Sequence, residues 1–188
     1  MNRKNLAVPV SGTGSLLEAM IRDKLDIALV LADRPCRGLE IAEKAKIPTM
    51  LIERTDFTKS FDREKYTLEI VKMLEDWFID LVAMAGFMTV FHRVIFERGF
   101  RGRILNIHPA LLPAFKGPHV VRDALEFGVK ITGTSVHVAT EELDAGEILA
   151  QEAVRVLPGD TEATLHERIK VVERELYPRA IRAFLKTL

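Results

Sequence analysis

LAVPVSGTGSLLEAMIRDKLDIALVLAD, residues 6–33, decides the fold. It opens on a short apolar run closed by Gly12. Ser15 to Lys24 then reads as a helix, and DIALVLAD (26–33) as a second buried run. A strand, a helix and another strand with no polar alternation form a βαβ unit, in which the strands lie parallel and both sheet faces are covered. The pattern continues. Gly38 to Lys46 reads as a helix and IPTMLI (47–52) as a third strand. From Arg63 to Phe78, apolar side chains at Tyr66, Ile70, Met73, Leu74 and Trp77 keep helical spacing. IDLVAMAG (79–86) and RILNIH (103–108) supply a fourth and a fifth strand. The expected fold class is α/β: an open, mostly parallel twisted sheet with helices on both faces, of Rossmann-like type.

The second half changes pattern. VKITGTSVHVAT (129–140) and EILAQEAVRVL (147–157) alternate apolar with small or polar residues around LDAG (143–146). They read as antiparallel strands added to the parallel sheet. A long helix closes the chain, with Asp160 or Thr161 as N-cap and a stripe of Leu165, Ile169, Val172 and Leu176. No repeat or linker interrupts residues 1–188, which are expected to form a single domain. Pro9 is a misfit in the first strand, because it has no N–H for a ladder. A bulge or an early strand end would accommodate it.

The 188 residues carry 27 Lys plus Arg against 27 Asp plus Glu, so no global charge favours nucleic acid or an anionic membrane as partner. Cys36 is the only cysteine, which excludes an internal disulfide and fits a reducing compartment. The first apolar run is too short for a signal peptide, and none approaches a membrane span of about 20 residues. The expectation is a cytoplasmic protein acting on small molecules, monomeric or paired as a homodimer through an exposed strand edge.

SGTGSLL (11–17) links the first strand to the first helix, at the sheet edge where ligands bind in such folds. The free N–H groups of Gly14, Ser15 and Leu16 suit an anion such as phosphate. A tight turn without a ligand is the other reading. Asp33, near the end of the second strand, also allows a nicotinamide cofactor.

RILNIHPALLPAFKG (103–117) ends the fifth strand on an amide and an imidazole. Asn106 and His108, two residues apart, share one face of a regular strand. Together they suit a carbonyl whose oxygen gains negative charge in a transition state. Pro109 and Pro113 limit the freedom of the following loop. Asp144, in the LDAG loop, is the candidate that orients or charges the imidazole, although an aspartate in such a turn is also an ordinary structural choice. His108, His119 and His137 lack metal-ligand spacing. His137 reads as a hydrogen-bonded core histidine, and His92 and His166 as surface residues. GTGSL is not a nucleophile elbow.

NIHPALLPAFKG (106–117), followed by GTSVHVATEELDAG (133–146), resembles the folate-dependent formyltransferases. The likeness extends from SGTGS through AGFM (85–88) to ERELYPRAI (173–181). It implies a formyltransferase fold and transfer of a formyl group from the co-substrate 10-formyltetrahydrofolate to the amine of glycinamide ribonucleotide, without a metal. The family's catalytic triad falls on Asn106, His108 and Asp144. The ribonucleotide site falls on Gly14, Ser15 and Leu16 with Lys170 and Glu173. Without the resemblance, Lys170 and Glu173 read as an exposed ion pair one turn apart. The folate site falls on Arg63, Met88, Thr89, Val90 and Phe91, with Asn106 between the two ligands. The part to about residue 105 then forms the nucleotide-phosphate half, and the remainder the catalytic and folate half. Thr89 stands where many relatives carry a basic residue, and Leu16 where Asn is common. A formyltetrahydrofolate deformylase would carry a second His in place of Pro109 and a regulatory domain. A methionyl-tRNA formyltransferase would add a C-terminal domain.

Overall fold

A computed structural model describes residues 4–188. Seven strands form one sheet: β1 (Leu6–Val10), β2 (Ile27–Ala32), β3 (Thr49–Leu51), β4 (Leu81–Ala83), β5 (Ile104–His108), β6 (Ile131–Val138) and β7 (Ile148–Arg155). Their order across the sheet is β3-β2-β1-β4-β5-β6-β7. The first five are parallel, while β6 runs antiparallel to β5, and β7 to β6. The helices are α1 (Ser15–Arg22), α2 (Arg37–Lys44), α3 (Arg63–Asp76), α4 (Val120–Phe127) and α5 (Glu162–Leu185), with a wide helical turn at Phe96–Phe100.

The side-chain alternation of β1 explains the two layers. Leu6, Val8 and Val10 pack on one face with Leu17 and Met20 of α1 and Tyr177 and Ile181 of α5. Ala7 faces the other way, toward Tyr66, Ile70 and Leu74 of α3 and toward Phe96 and Phe100. A third cluster joins Val120 and Val121 of α4 to Val154, Leu165 and Ile169. Each fully buried Leu or Ile contributes about 1.5–3 kcal/mol by leaving water.

Two differences from the expected elements, and two alternatives left open, have local causes. The apolar runs overestimate strand length: 79–86 contains only Leu81–Ala83 as strand. Apolarity marks burial, and the buried run continues past the last ladder bond. Helix α4 has no counterpart in the expected set, because its eight residues bury only Val120, Val121 and Ala124, too short a stripe to stand out beside a proline-rich loop. Pro9 is accommodated by an early end of the ladder. It stays in register with Leu31 of β2, whereas pairing with β4 covers only Leu6 and Ala7. Its carbonyl accepts from Ala85 N at 2.9 Å on that side, so the missing N–H faces the place where β4 has already ended. Finally, Thr161 is the N-cap of α5: its hydroxyl accepts from Thr164 N, and the Thr164 hydroxyl accepts from Thr161 N.

Candidate active site

Strand β5 ends at the carboxyl edge of the sheet and presents Asn106 and His108 on the same face as Ile104. Antiparallel β6 sets His137 directly opposite Asn106 and Ser135 opposite His108. The Asn106 amide Nδ2 lies 3.3 Å from His137 Nε2. The turn after β6 then returns Asp144 beneath both imidazoles. Asp144 Oδ2 is 3.5 Å from His108 Nδ1, and Oδ1 is 3.6 Å from His137 Nε2. All three ionisable side chains are buried. Asn106, His108 and Asp144 are thus brought together as expected, and a fourth member joins them. His137 was legible only as a core histidine, because its partner is set by strand register, which no local spacing reveals.

Burial drives the pKa of His137 below the ordinary histidine value, against a backbone contact with Val138 and the charge of Asp144. In the neutral ring, Nδ1–H donates to Val138 O at 3.2 Å, which leaves Nε2 to accept from Asn106. One N–H of the Asn106 amide remains for a ligand. His108 Nε2 faces the carbonyl of Phe115 at 2.8 Å, and a carbonyl only accepts, so this nitrogen carries a proton. Asp144 has φ 52°, a left-handed conformation rare outside glycine. Its carboxylate is held by Gly117 N at 3.0 Å. Gly146 completes the turn where an added Cβ would stand 1.7 Å from Val138 O.

The proline loop is fastened from β6 and β7. Ser135 Oγ donates to Ala110 O at 2.7 Å and accepts from Leu112 N at 2.9 Å. Gln151 Nε2 donates to Leu112 O at 2.9 Å. The Leu112–Pro113 peptide is cis.

Beside Asn106 and Asp144 opens a cleft of about 120 Å³, walled by Met84, Phe87, Phe91 and Phe96 and rimmed by Val90 and Leu143. Val90, Phe91 and Asn106 line it as expected, and Met88, 67% exposed, lies on the same loop. Thr89 lines it too. It is 2% exposed, and its hydroxyl donates to Asp33 Oδ2 at 2.7 Å. Arg63 opens α3, exposed, and is not among the residues that line the cleft.

At the glycine turn, Gly14 adopts φ 72° and starts α1 without a side-chain cap. Its missing Cβ would stand 2.7 Å from Ile41 Cδ1 and 2.9 Å from Gly38 Cα, so only glycine fits. The N–H groups of Ser15 and Leu16, in the first turn of α1, have no partner within the helix. Lys170 and Glu173 do not form the ion pair that their spacing allows. Lys170 Nζ binds Glu167 at 2.7 Å. Glu173 turns inward, with Oε1 3.3 Å from the Thr134 hydroxyl, whose single proton is shared with His108 O at 3.0 Å. Burial pushes the Glu173 carboxyl up to about 7. Asp33 is not free for a ribose: Arg34 holds both its oxygens, at 3.0 and 3.2 Å, alongside Thr89.

Among the described residues, no group of three or more His, Cys, Asp or Glu is placed to hold a metal ion. His119 lies exposed at the start of α4. No described helix is long and apolar enough to cross a membrane.

The Rossmann-like sheet with an Asn–His–Asp cluster at its edge sits in a chain that belongs to the formyl transferase family, a class of group-transfer enzymes; the family matches residues 4–181. The phosphoribosylglycinamide formyltransferase of Mycobacterium tuberculosis (strain H37Rv) is 44% identical over 183 residues, covering 95% of this chain and 83% of that protein. The human trifunctional purine biosynthetic protein adenosine-3 is 40% identical over 95% of this chain, which spans 18% of that longer protein. Among solved structures, glycinamide ribonucleotide transformylase 1 from Geobacillus kaustophilus has a TM-score of 0.90 at 34% identity, covering 98% of this chain and 100% of that one.

Proposed function

We propose that this chain transfers the formyl group of 10-formyltetrahydrofolate to the amine of glycinamide ribonucleotide, as a step of purine biosynthesis. The observation that carries this reading is the convergence of Asn106, His108 and Asp144, two of which, Asn106 and Asp144, line an apolar cleft. The cleft takes the reduced folate, with Met88, Val90 and Phe91 along one side and Arg63 toward the exposed tail. The N–H groups of Gly14, Ser15 and Leu16 take the phosphate, with Lys170 beside it and Glu173 holding the nucleotide.

The neutral amine attacks the formyl carbon, and the carbonyl π electrons pass to oxygen. The free N–H of Asn106 donates to that oxyanion, a contact of about 3–4 kcal/mol in comparable sites. His108 adds a second polar group, oriented by Asp144 at its Nδ1. Collapse of the intermediate breaks the bond from the formyl carbon to the folate nitrogen. The proton lost by the attacking amine must reach that nitrogen, carried by Asp144, His108 or a bound water. This chemistry involves no metal.

The ligands are small molecules, without nucleic acid or membrane. The lone Cys36 suits a cytoplasmic enzyme, either monomeric or a homodimer. Residues 1–188 act as one domain. The part to about residue 105 supplies the phosphate-binding turn and the remainder the triad, although the cleft draws on both sides of that boundary.

The decisive experiment mixes the protein with glycinamide ribonucleotide and 10-formyltetrahydrofolate and follows the deformylated folate. Product that requires the ribonucleotide supports the transferase. Equal product without the amine identifies a hydrolase and overturns the proposal.

A further inference from the structure

We propose that Asp33 is a positioning residue for the folate side of the cleft, holding the loop after β4 in place through the hydroxyl of Thr89. The inference rests on the folate reading given above. Residues 84–92 follow the end of β4 and have no regular ladder of their own, yet Met84, Phe87, Thr89, Val90 and Phe91 line the cleft. Met88 and Val90 are 67% and 50% exposed, so neither side chain anchors the loop by burial.

Polar contacts hold it instead. Ala85 N donates to Pro9 O at 2.9 Å, Met88 N to Ser11 Oγ at 2.8 Å and His92 N to Thr67 Oγ1 at 3.0 Å. Between Met88 and His92 the loop is tied by Thr89 Oγ1 to Asp33 Oδ2, at 2.7 Å. This bond is charge-assisted and dry: Asp33 is fully buried and Thr89 is 2% exposed. Such a bond is roughly twice as strong as a neutral one. Burial alone would raise the Asp33 pKa, but hydrogen bonds from Arg34, Thr89 and Ser11 outweigh it and lower the value. The acceptor is therefore a carboxylate at neutral pH.

Two strands meet in this clamp. Ser11 follows β1, Asp33 follows β2, and each takes one of two successive loop residues, Met88 and Thr89. Thr89 itself lines the cleft while its hydroxyl is engaged by Asp33. Its hydroxyl points inward and sets where Met88 and Val90 stand. Arg34, bound to both oxygens of Asp33, holds the carboxylate for that role.

The test compares Thr89→Val, which keeps shape and removes the hydroxyl, with Thr89→Ser, which restores it. Loss of one buried hydrogen bond to a carboxylate should raise the KM for 10-formyltetrahydrofolate about 10-fold in Thr89→Val. The KM for the ribonucleotide should not follow, and Thr89→Ser should recover most of the loss. A merely structural role would lower thermal stability without separating the two KM values. An unchanged folate KM in Thr89→Val overturns the inference while leaving the formyltransferase reading intact. If wild-type protein transfers no formyl group, that reading fails by itself. Amide exchange across residues 85–92 then decides the clamp: faster exchange in Thr89→Val than in Thr89→Ser sustains it, and equal exchange overturns it.

Discussion

Glu173 shows how much one side chain carries at the residue scale. Its carboxyl is buried against Thr134, and burial pushes its pKa up from the ordinary 4.5 to about 7. The folded state therefore binds this proton more tightly than the unfolded chain, and folding stability falls as pH rises from about 4.5 to about 7. Glu173→Gln removes that penalty. In denaturant titrations at pH 8 it should be the more stable protein, by up to about 3 kcal/mol, and the gain should vanish below pH 4.5. The same variant should bind the ribonucleotide less tightly, since the carboxylate is assigned to that ligand. The triad gives a second prediction. Asn106→Ala removes the oxyanion donor and should lower kcat by about 10²–10³-fold with a smaller change in KM. His108→Ala and Asp144→Ala should likewise act on turnover more than on binding. Near-normal kcat in all three variants would contradict the mechanism.

At the scale of the element, turns and caps decide as much as strands do. Gly146 ends the turn that carries Asp144, and a Cβ there would stand 1.7 Å from Val138 O. Backbone cannot yield to that overlap without moving Asp144. Gly146→Ala should therefore lose both stability and turnover, and a shift of about 1 Å in a catalytic group can cost 10²-fold. Steady-state kinetics beside a melting curve would separate the two effects. Helix α5 offers a contrast, because its capping box is remote from the chemistry. Thr161→Ala should cost about 1 kcal/mol of stability, seen as a lower melting temperature with unchanged kinetic constants. The elements differ in how readable they are. Leu165, Ile169 and Leu176 announce α5 because three buried positions at helical spacing leave little alternative. Helix α4 shows only Val120, Val121 and Ala124, and a stripe that short is indistinguishable from an apolar loop.

For the whole molecule, the two proposed ligand sites share one folded unit, so ligand binding must appear as stability. Either ligand at about 100 times its Kd should add about 2.7 kcal/mol, raising the melting temperature by several degrees for a chain of this length. NAD should give no shift, because Arg34 and Thr89 already occupy Asp33. The sequence by itself determined the parallel sheet, the glycine turn, and Asn106 and His108 at the end of β5. These are local properties: apolar runs between helical stripes, and two residues whose spacing puts them on one strand face. It also offered Asp144 in the LDAG loop as the partner of His108, a choice that the resemblance sharpened. Only the tertiary structure decided that His137 stands opposite Asn106, that Glu173 turns inward away from Lys170, and that the Thr89 hydroxyl binds Asp33 at the wall of the cleft. Each of those contacts joins residues at least 31 positions apart, or turns on which face of an element is covered. Strand register and packing fix such pairs, and neither is written in the spacing of neighbours along the chain.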